Sequence, residues 1–209
     1  MLVQHYMSIF EQLMFTSEQK LFENGHIVLN KYSKIPRSNI GIFIALHYGE
    51  YKFKEFSDQL WSFIDDNKVD KLIIDIRRNF GGTNSVFQPF IHQLIQHPKL
   101  NHKENLFVLT SPKTFSAAIH LAFWLDDLCN PTFVGMPTAA GAIHYADPNF
   151  LKLPNSEILF WVSTNLWQLT APTDKRLWLE PDIKIEFNSS DYFNLKDVVL
   201  NKILLKNTL

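Results

Sequence analysis

The most constraining feature of this sequence is a set of short, almost wholly apolar segments that alternate with amphipathic ones. Lys71–Ile76 and Leu106–Thr110 are too continuously apolar for strands with one wet face, so they predict strands covered on both faces. The segments that follow them have the three- and four-residue spacing of helices. This alternation predicts an α/β fold with a parallel or mixed sheet and right-handed crossovers.

The two ends of the chain have less regular patterns. Ahead of the alternating region, residues 1–38 predict a lead-in with a short helix and a strand at 26–29. No internal repeat or linker is visible after it, so residues 39–209 are predicted to form one principal domain. Its remaining predicted elements are strands at 40–46, 132–135, 151–153, 158–163 and 183–187, and helices at 53–64, 85–96, 117–128 and 195–205.

Charge and cysteine content exclude several classes of protein. The chain carries 20 basic and 21 acidic residues and no Lys/Arg stripe, so it lacks the positive surface that nucleic-acid binding requires. Its single cysteine, Cys129, cannot close an internal disulfide, and no Cys/His group has the spacing of a zinc site. We therefore expect packing alone to hold the fold, with no metal or cofactor.

The first residues carry no recognisable targeting signal. Met1–Phe15 lacks the basic start and the small-residue cleavage site of a secretory signal. No segment reaches the roughly 18 apolar residues that a membrane span needs. We expect a chain without a membrane span that is either cytoplasmic or shortened at its start.

Two loops follow the predicted central strands, where open α/β sheets bind their ligands. The first, Asp75–Thr83, contains adjacent glycines and Arg77, which either anchors a substrate carboxylate or braces the loop. The second, Thr110–Ala118, leads into a predicted helix with Thr114 as its N-cap. Ser116 lies at the start of that helix, where free N–H groups and the helix dipole can stabilise an oxyanion, although a capping serine is the plainer interpretation.

Five segments of the sequence resemble one known family. Ile74-Asp-Ile-Arg-Arg-Asn-Phe-Gly-Gly82 resembles the D-L-R-x-N-x-G-G signature of the tail-specific, or C-terminal-processing, serine proteases, and Thr114-Phe-Ser-Ala-Ala118 resembles their nucleophile segment. The other matching segments, in family order, are Val134–Thr138, Leu153–Ser156 and Glu180–Ile183. The resemblance implies a ClpP/crotonase-like core, with a mixed β-sheet and flanking helices, that cleaves peptide bonds without a metal.

Carried over by position, the resemblance implies a role for each matching residue. Ser116 would be the nucleophile. The backbone N–H groups of Ala117 and Gly82, with Gly81 as a further donor, would form the oxyanion hole. Asn79 would shape the glycine loop rather than react.

The general base is the part of the family pattern that this sequence does not match. The processing branch of the family uses a lysine where this chain has Gly141, and the tricorn-like branch uses a histidine upstream of the core. We favour His144, which falls on the loop that carries the lysine in the first branch. The alternatives are His120, His47 and a group outside this chain.

These observations predict a serine-type endopeptidase that acts on a polypeptide substrate through an acyl-enzyme on Ser116. Two alternatives remain open: a degenerate family member that binds peptides or an apolar ligand without cleaving them, and an acyl-CoA hydratase or isomerase on the related crotonase scaffold. The oligomeric state is also open, a homo-oligomer included. Most of the aromatic residues of the last third are expected to belong to the core, among them Phe160, Trp161, Trp167 and Trp178.

Overall fold

The computed structural model of the chain describes residues 22–23, 26–27, 30–34, 40–45, 53–194 and 196–205. Its strands are β1 (Phe22–Glu23), β2 (His26–Ile27), β3 (Asn30–Lys34), β4 (Ile40–Ala45), β5 (Lys71–Asp75), β6 (Leu106–Thr110), β7 (Thr132–Gly135), β8 (Ile143–Lys152), β9 (Leu159–Gln168) and β10 (Ile183–Lys184). Its helices are α1 (Phe53–Asp66), α2 (Gln88–Gln96), α3 (Ala117–Leu128), α4 (Ser189–Phe193) and α5 (Val198–Leu205). The predicted helix at the start of the chain and His47 lie outside the described residues.

Six strands form one mixed sheet in the order β10-β7-β6-β5-β4-β3. β3 runs antiparallel to β4, and every other neighbouring pair in this sheet is parallel. The predicted α/β architecture is therefore confirmed. β3 belongs to this sheet although it precedes residue 39, and the domain boundary at that residue stays a prediction.

The sheet is covered on both faces, as the continuous apolar character of its central strands predicts. Every residue of β6 is buried, and so are the last four of the five residues of β5. On one side, Leu72, Ile74 and Val108 pack in the main core with residues of α1, α2 and α3. On the other side, Ile73, Phe107 and Leu109 pack with the apolar face of α5. Strands buried on both faces leave their connecting loops as the places where polar chemistry can occur.

The last third of the chain differs most from the prediction. The strands predicted at 151–153 and 158–163 are parts of one long antiparallel hairpin, β8–β9, whose pairs run from Ile143↔Gln168 to Lys152↔Leu159. The sequence pattern missed the first half of β8 because Asp147 and Pro148 interrupt it in a way typical of turns. The closing helix begins at Val198 rather than at 195, and the strand predicted at 183–187 spans two residues.

The expectation that the late aromatic residues belong to the core is wrong for three of the four. Phe160, Trp161 and Trp178 are exposed, and only Trp167 is half-buried. Phe160 and Trp161 are neighbours on β9, so their side chains lie on opposite faces of a two-stranded sheet that the core does not cover.

Among the described helices, none combines the length and the apolar character that crossing a bilayer requires.

Candidate active site

The loops that follow β5 and β6 lie side by side, because parallel neighbouring strands end at the same edge of the sheet. Three hydrogen bonds join them. The Phe115 N–H donates to the Asn79 carbonyl at 3.1 Å, the Ser111 hydroxyl donates to the Arg77 carbonyl at 2.6 Å, and the Thr114 hydroxyl donates to the Ile76 carbonyl at 3.0 Å. The two sequence motifs therefore form one rigid unit at the carboxyl edge of the sheet.

Arg77 braces the first loop and is not available to anchor a substrate. Its guanidinium donates to both carboxylate oxygens of Asp75, at 3.0 and 2.6 Å, and to both of Asp197, at 2.9 and 2.7 Å. Burial opposes the charge of Arg77, but the two carboxylates raise its pKa above the ordinary value. Burial would raise the pKa of Asp197, yet the charge of Arg77 holds it below its usual range. Two carboxylates thus saturate the guanidinium and tie the glycine loop to the segment before α5.

Ser116 is held in a strained backbone conformation at the start of α3. Its φ and ψ are 53° and −127°, outside the regions that serine ordinarily adopts. Its side chain makes no capping hydrogen bond, so the hydroxyl is not used to cap the helix. The prediction of Thr114 as N-cap is wrong, because its hydroxyl instead bonds to Ile76 and accepts from the Ser111 N–H at 3.1 Å. The Ser116 side chain lies instead next to Gly81 of the first loop.

Gly81 faces the serine at a distance that only a residue without Cβ allows. A Cβ added to Gly81 would lie 2.5 Å from the Ser116 Cβ, 3.0 Å from its hydroxyl oxygen and 3.0 Å from the Ala117 nitrogen. The φ of Gly81, 111°, is also one that other residues rarely adopt. The sequence-predicted residues Ser116, Ala117 and Gly81 therefore lie in close contact, with no room for a side chain on Gly81.

The backbone N–H groups near Ser116 differ in whether they already have a hydrogen-bond acceptor. The N–H of Gly81 donates to the Asn79 side chain at 2.8 Å, so Asn79 shapes the loop and occupies that donor. The N–H of Ala117 belongs to the first turn of α3, where no intrahelical acceptor is available. Gly82 is exposed beside them with a φ of 138°. Of the three predicted oxyanion donors, the N–H of Gly81 is thus already bonded to Asn79, and the N–H of Ala117 has no intrahelical acceptor.

His144 lies beside the serine turn, near the start of β8. Its ring centroid is 6.1 Å from that of Phe115 and 5.7 Å from that of His120, which precede and follow Ser116 in the chain. Its Nδ1 lies 2.9 Å from the Gly141 carbonyl, and a carbonyl only accepts, so Nδ1 carries the proton and Nε2 the lone pair. Burial lowers the pKa of His144, which favours this neutral form.

The buried Nε2 of His144 has no hydrogen-bond partner among the described residues, the Ser116 hydroxyl included. A serine–histidine hydrogen bond is therefore not made in this structure. In ligand-free enzymes such bonds are often long and tighten when the substrate binds. An unpartnered buried nitrogen has lost its hydration without compensation, so a donor placed beside it would bind favourably.

The other predicted histidine bases are less well placed. His120 Nδ1 accepts from the Asn84 side-chain amide at 2.8 Å, so the nitrogen with the lone pair is already used. Burial, reinforced by the proximity of His144, lowers the pKa of His120 to about 4. His47 lies outside the described residues.

The position that carries a lysine in the processing branch excludes a side chain here. A Cβ added to Gly141 would lie 1.9 Å from the Arg176 carbonyl oxygen. No rotation of a side chain relieves an overlap between a Cβ and a backbone oxygen. The chain therefore cannot hold a lysine at Gly141 without moving its backbone, and the nearest basic group follows three residues later, at His144.

Several residues that support this site were not found from the sequence. Asn84 holds His120, the Trp167 ring lies 5.0 Å from the His120 ring, and Asp197 completes the pairing of Arg77. Trp167 pairs with His144 across β8 and β9, so a correct prediction of the hairpin register would have placed it. The contacts of Asn84 and Asp197 span 36 and 120 residues, and no local pattern signals them.

No protein-family model matches this sequence, and no curated protein matches it. Solved structures do. A candidate peptidase from Parabacteroides merdae ATCC 43184 superposes with a TM-score of 0.62 at 14% identity, over 95% of this chain and 70% of its own. A candidate S41 protease from Bacteroides fragilis NCTC 9343 gives 0.55 at 14% identity, over 85% of this chain and 56% of its own.

The photosystem II D1 C-terminal processing protease has a TM-score of 0.51 at 14% identity, over 77% of this chain and 49% of its own. This chain thus spans about half the length of two of these three structures. At such low identity, the comparisons establish the fold and not the chemistry. The described chain has the fold of the tail-specific, S41-type peptidases.

Proposed function

We propose that this chain is the catalytic domain of a serine-type peptidase in which Ser116 is the nucleophile and His144 the general base. One observation carries the proposal. A serine in a strained turn faces Gly81 and the Ala117 N–H, while a buried histidine nitrogen without a partner lies beside the same turn. The strained serine, the N–H without an acceptor and the buried basic nitrogen without a partner each lower the stability of the fold. A fold that does not use them gains nothing in return.

The proposed reaction uses only groups of the chain, the peptide and water. The Ser116 oxygen attacks the scissile carbonyl carbon, and its proton passes to His144 Nε2. The N–H groups of Ala117 and Gly82 stabilise the negative oxygen of the tetrahedral intermediate. The C–N bond then breaks, and the imidazolium returns the proton to the leaving amine. Water attacks the acyl-enzyme by the same route and restores the serine.

The Gly141 carbonyl would orient the base. It fixes the Nδ1 tautomer of His144 and accepts a hydrogen bond that strengthens when the ring becomes charged. Because burial lowers the pKa of His144 below its ordinary value of 6.5, the base stays neutral at mildly acidic pH. The acid decline of serine reactivity should therefore be centred below pH 6.5, as a pH series of probe labelling would measure.

A second function is favoured by a specific observation. The hydrogen bond between Ser116 and His144 is not made, which is the expected state of a family member that binds peptides without cleaving them. The same fold would then bind a peptide at the surface beside the glycine loop. An active serine distinguishes the two functions directly.

A fluorophosphonate probe, which labels only activated serines, tests the proposal. We expect labelling of the native chain, none of Ser116→Ala, and a drop of about 10²- to 10⁴-fold in labelling rate for His144→Gln. His92→Gln, at an exposed histidine of α2, is the matched control and should label like the native chain. No labelling of well-folded native chain would favour the binding protein, and unchanged labelling of His144→Gln would refute the choice of base.

A further inference from the structure

The β8–β9 hairpin has an apolar face that nothing in the described chain covers. Side chains alternate between the two faces of a strand pair, and the register assigns Tyr145, Leu151, Phe160, Val162 and Leu166 to one of them. We call this set the outer face. All five residues are exposed. A sheet with an apolar face ordinarily buries it against a second layer, so the outer face is an incomplete structure.

The opposite face of the hairpin is attached to the domain at its base. There His144 and Trp167 contact His120 of α3. Further out on the same face, Phe150 and Trp161 pack on each other with ring centroids 4.9 Å apart. The outer face therefore points away from the domain along its whole length, and an isolated two-stranded hairpin of this kind is marginally stable in water.

The chemistry of the outer face fits a second copy of itself. Its remaining positions are Ile143, Asn149, Thr164 and Gln168, so no charged side chain belongs to it. The one acidic residue in this part of β8, Asp147, accepts from the Trp167 indole at 2.8 Å and so lies on the opposite face. A patch that packs on its own copy around a two-fold axis brings like residues together, which charged side chains would oppose.

The size of the outer face is that of one side of a dimer interface. The exposed parts of its five large side chains amount to on the order of 500 Å² of largely apolar surface. One partner of a standard interface buries about 800 Å², of which roughly 57–65% is apolar. The five side chains supply that apolar share, and the polar residues beside them supply the remainder.

We propose that the chain forms a two-fold dimer in which the outer faces of two β8–β9 hairpins pack against each other. The second copy provides the layer that each hairpin lacks. Because the contact is isologous it closes at two copies and leaves no unpaired outer face. The proposal does not depend on the catalytic assignment, since it rests on residues that face away from Ser116.

Sedimentation velocity of the full chain, from about 1 to 100 µM, tests the dimer with two matched leucines on one strand. Leu166 is 56% exposed on the outer face, and Leu159 is 63% exposed on the opposite face. We expect a dimer for the native chain, a rise of about 100-fold in the dimer Kd for Leu166→Lys, and no change for Leu159→Lys. Circular dichroism of both variants checks that each is folded.

A charge pair identifies the contact itself. Val162 lies near the middle of the outer face, where a two-fold axis brings it nearest to its own copy. Val162→Lys and Val162→Glu should each be monomeric, and their mixture should dimerise. The proposal is overturned if the native chain is monomeric over the whole concentration range. That outcome includes the case in which its own first 21 residues cover the outer face. Equal weakening by Leu159→Lys and Leu166→Lys would overturn it as well.

Discussion

The two halves of the candidate site are built in different ways. The glycine loop and the serine loop extend from strands that are buried on both faces, and side-chain and backbone hydrogen bonds hold them together. The proposed base, His144, lies on a hairpin whose strands are mostly exposed, and its one described hydrogen bond is to the nearby Gly141 carbonyl.

This difference separates the parts of such a site that need a fixed backbone from the part that can vary. The nucleophile and the oxyanion donors depend on backbone geometry, which only the buried sheet and its loops can fix. A general base needs only a lone pair within reach of the serine hydroxyl. A basic side chain on any neighbouring element can supply it. Gly141, at the position where the resemblance would place a lysine, and the proposed base His144 both lie in the half that tolerates variation.

The largest effect that tests this comparison is expected at Arg77. Arg77→Leu leaves the carboxylates of Asp75 and Asp197 buried without a cationic partner, so the free energy of unfolding should fall by about 3–5 kcal/mol. Urea unfolding measures it. Arg176→Leu removes an exposed arginine from Asp126 and Asp174 and should cost about 1 kcal/mol or less. Equal losses would mean that the buried ion pairs of Arg77 brace the glycine loop no more than exposed ion pairs would.

The next effect is on reactivity. Gly81→Ala would place a methyl group 2.5 Å from the Ser116 Cβ and 3.0 Å from its hydroxyl oxygen, so the glycine and serine loops must shift apart. Probe labelling of the folded fraction should fall by about 10²- to 10³-fold. The folded fraction is measured by circular dichroism in the same samples. A loss of labelling that merely follows the loss of folded protein would mean that Gly81 supports the fold and not the reactivity of the serine.

A pH series tests the contact between the halves, where His120 lies between Asn84 and Trp167. The pKa of His120 is about 4 in the fold and about 6.5 in the unfolded chain, so only the unfolded chain takes up a proton between these values. Stability is full above pH 6.5 and declines by up to about 3 kcal/mol as the pH falls toward 4.

Urea unfolding at pH 7 and at pH 4.5 measures this contribution. His120→Gln should show a smaller loss between the two pH values than the native chain does. His92→Gln, at an exposed position, should lose as much as the native chain. An unchanged loss in His120→Gln would mean that other groups cause the acid sensitivity.

The smallest effect is expected in the hairpin. Phe150→Ala removes the edge-on contact with Trp161, which lies far from the body of the domain. The free energy of unfolding should change by about 1 kcal/mol or less, while hydrogen exchange of β8 and β9 amides should accelerate. Exchange in β5 and β6 should not change. Acceleration in all four strands would show that the hairpin and the sheet open as one unit.

The half of the site that the glycine and serine loops form was predictable because its sequence signals are local. Continuous apolar strands followed by a glycine pair and a serine at a helix start define β5, β6 and α3 within a few residues of their observed bounds. The resemblance then assigned Ser116, Ala117 and Gly81, and the structure brings these three residues together. Their roles in catalysis remain predictions.

The half of the site that lies on the β8–β9 hairpin could not be predicted with the same detail. β8 contains Asp147 at a φ of 52° followed by a proline, and both residues resemble a turn in sequence although the strand continues. Aromatic residues such as Trp161 are typical of a core, and only the uncovered hairpin explains their exposure. Burial depends on which elements lie nearby, and that information is not contained in a local pattern.

The backbone of Ser116 has a consequence for how this chain could evolve. Glycine tolerates a φ of 53° with a ψ of −127° far better than serine does, so Ser116→Gly would release strain on the order of 1–3 kcal/mol. Stability alone therefore favours losing the hydroxyl by a single substitution. Under the proposed function, selection for chemistry is what keeps the hydroxyl in this turn despite the lost stability, and a lineage that had stopped using it would have little reason to retain it.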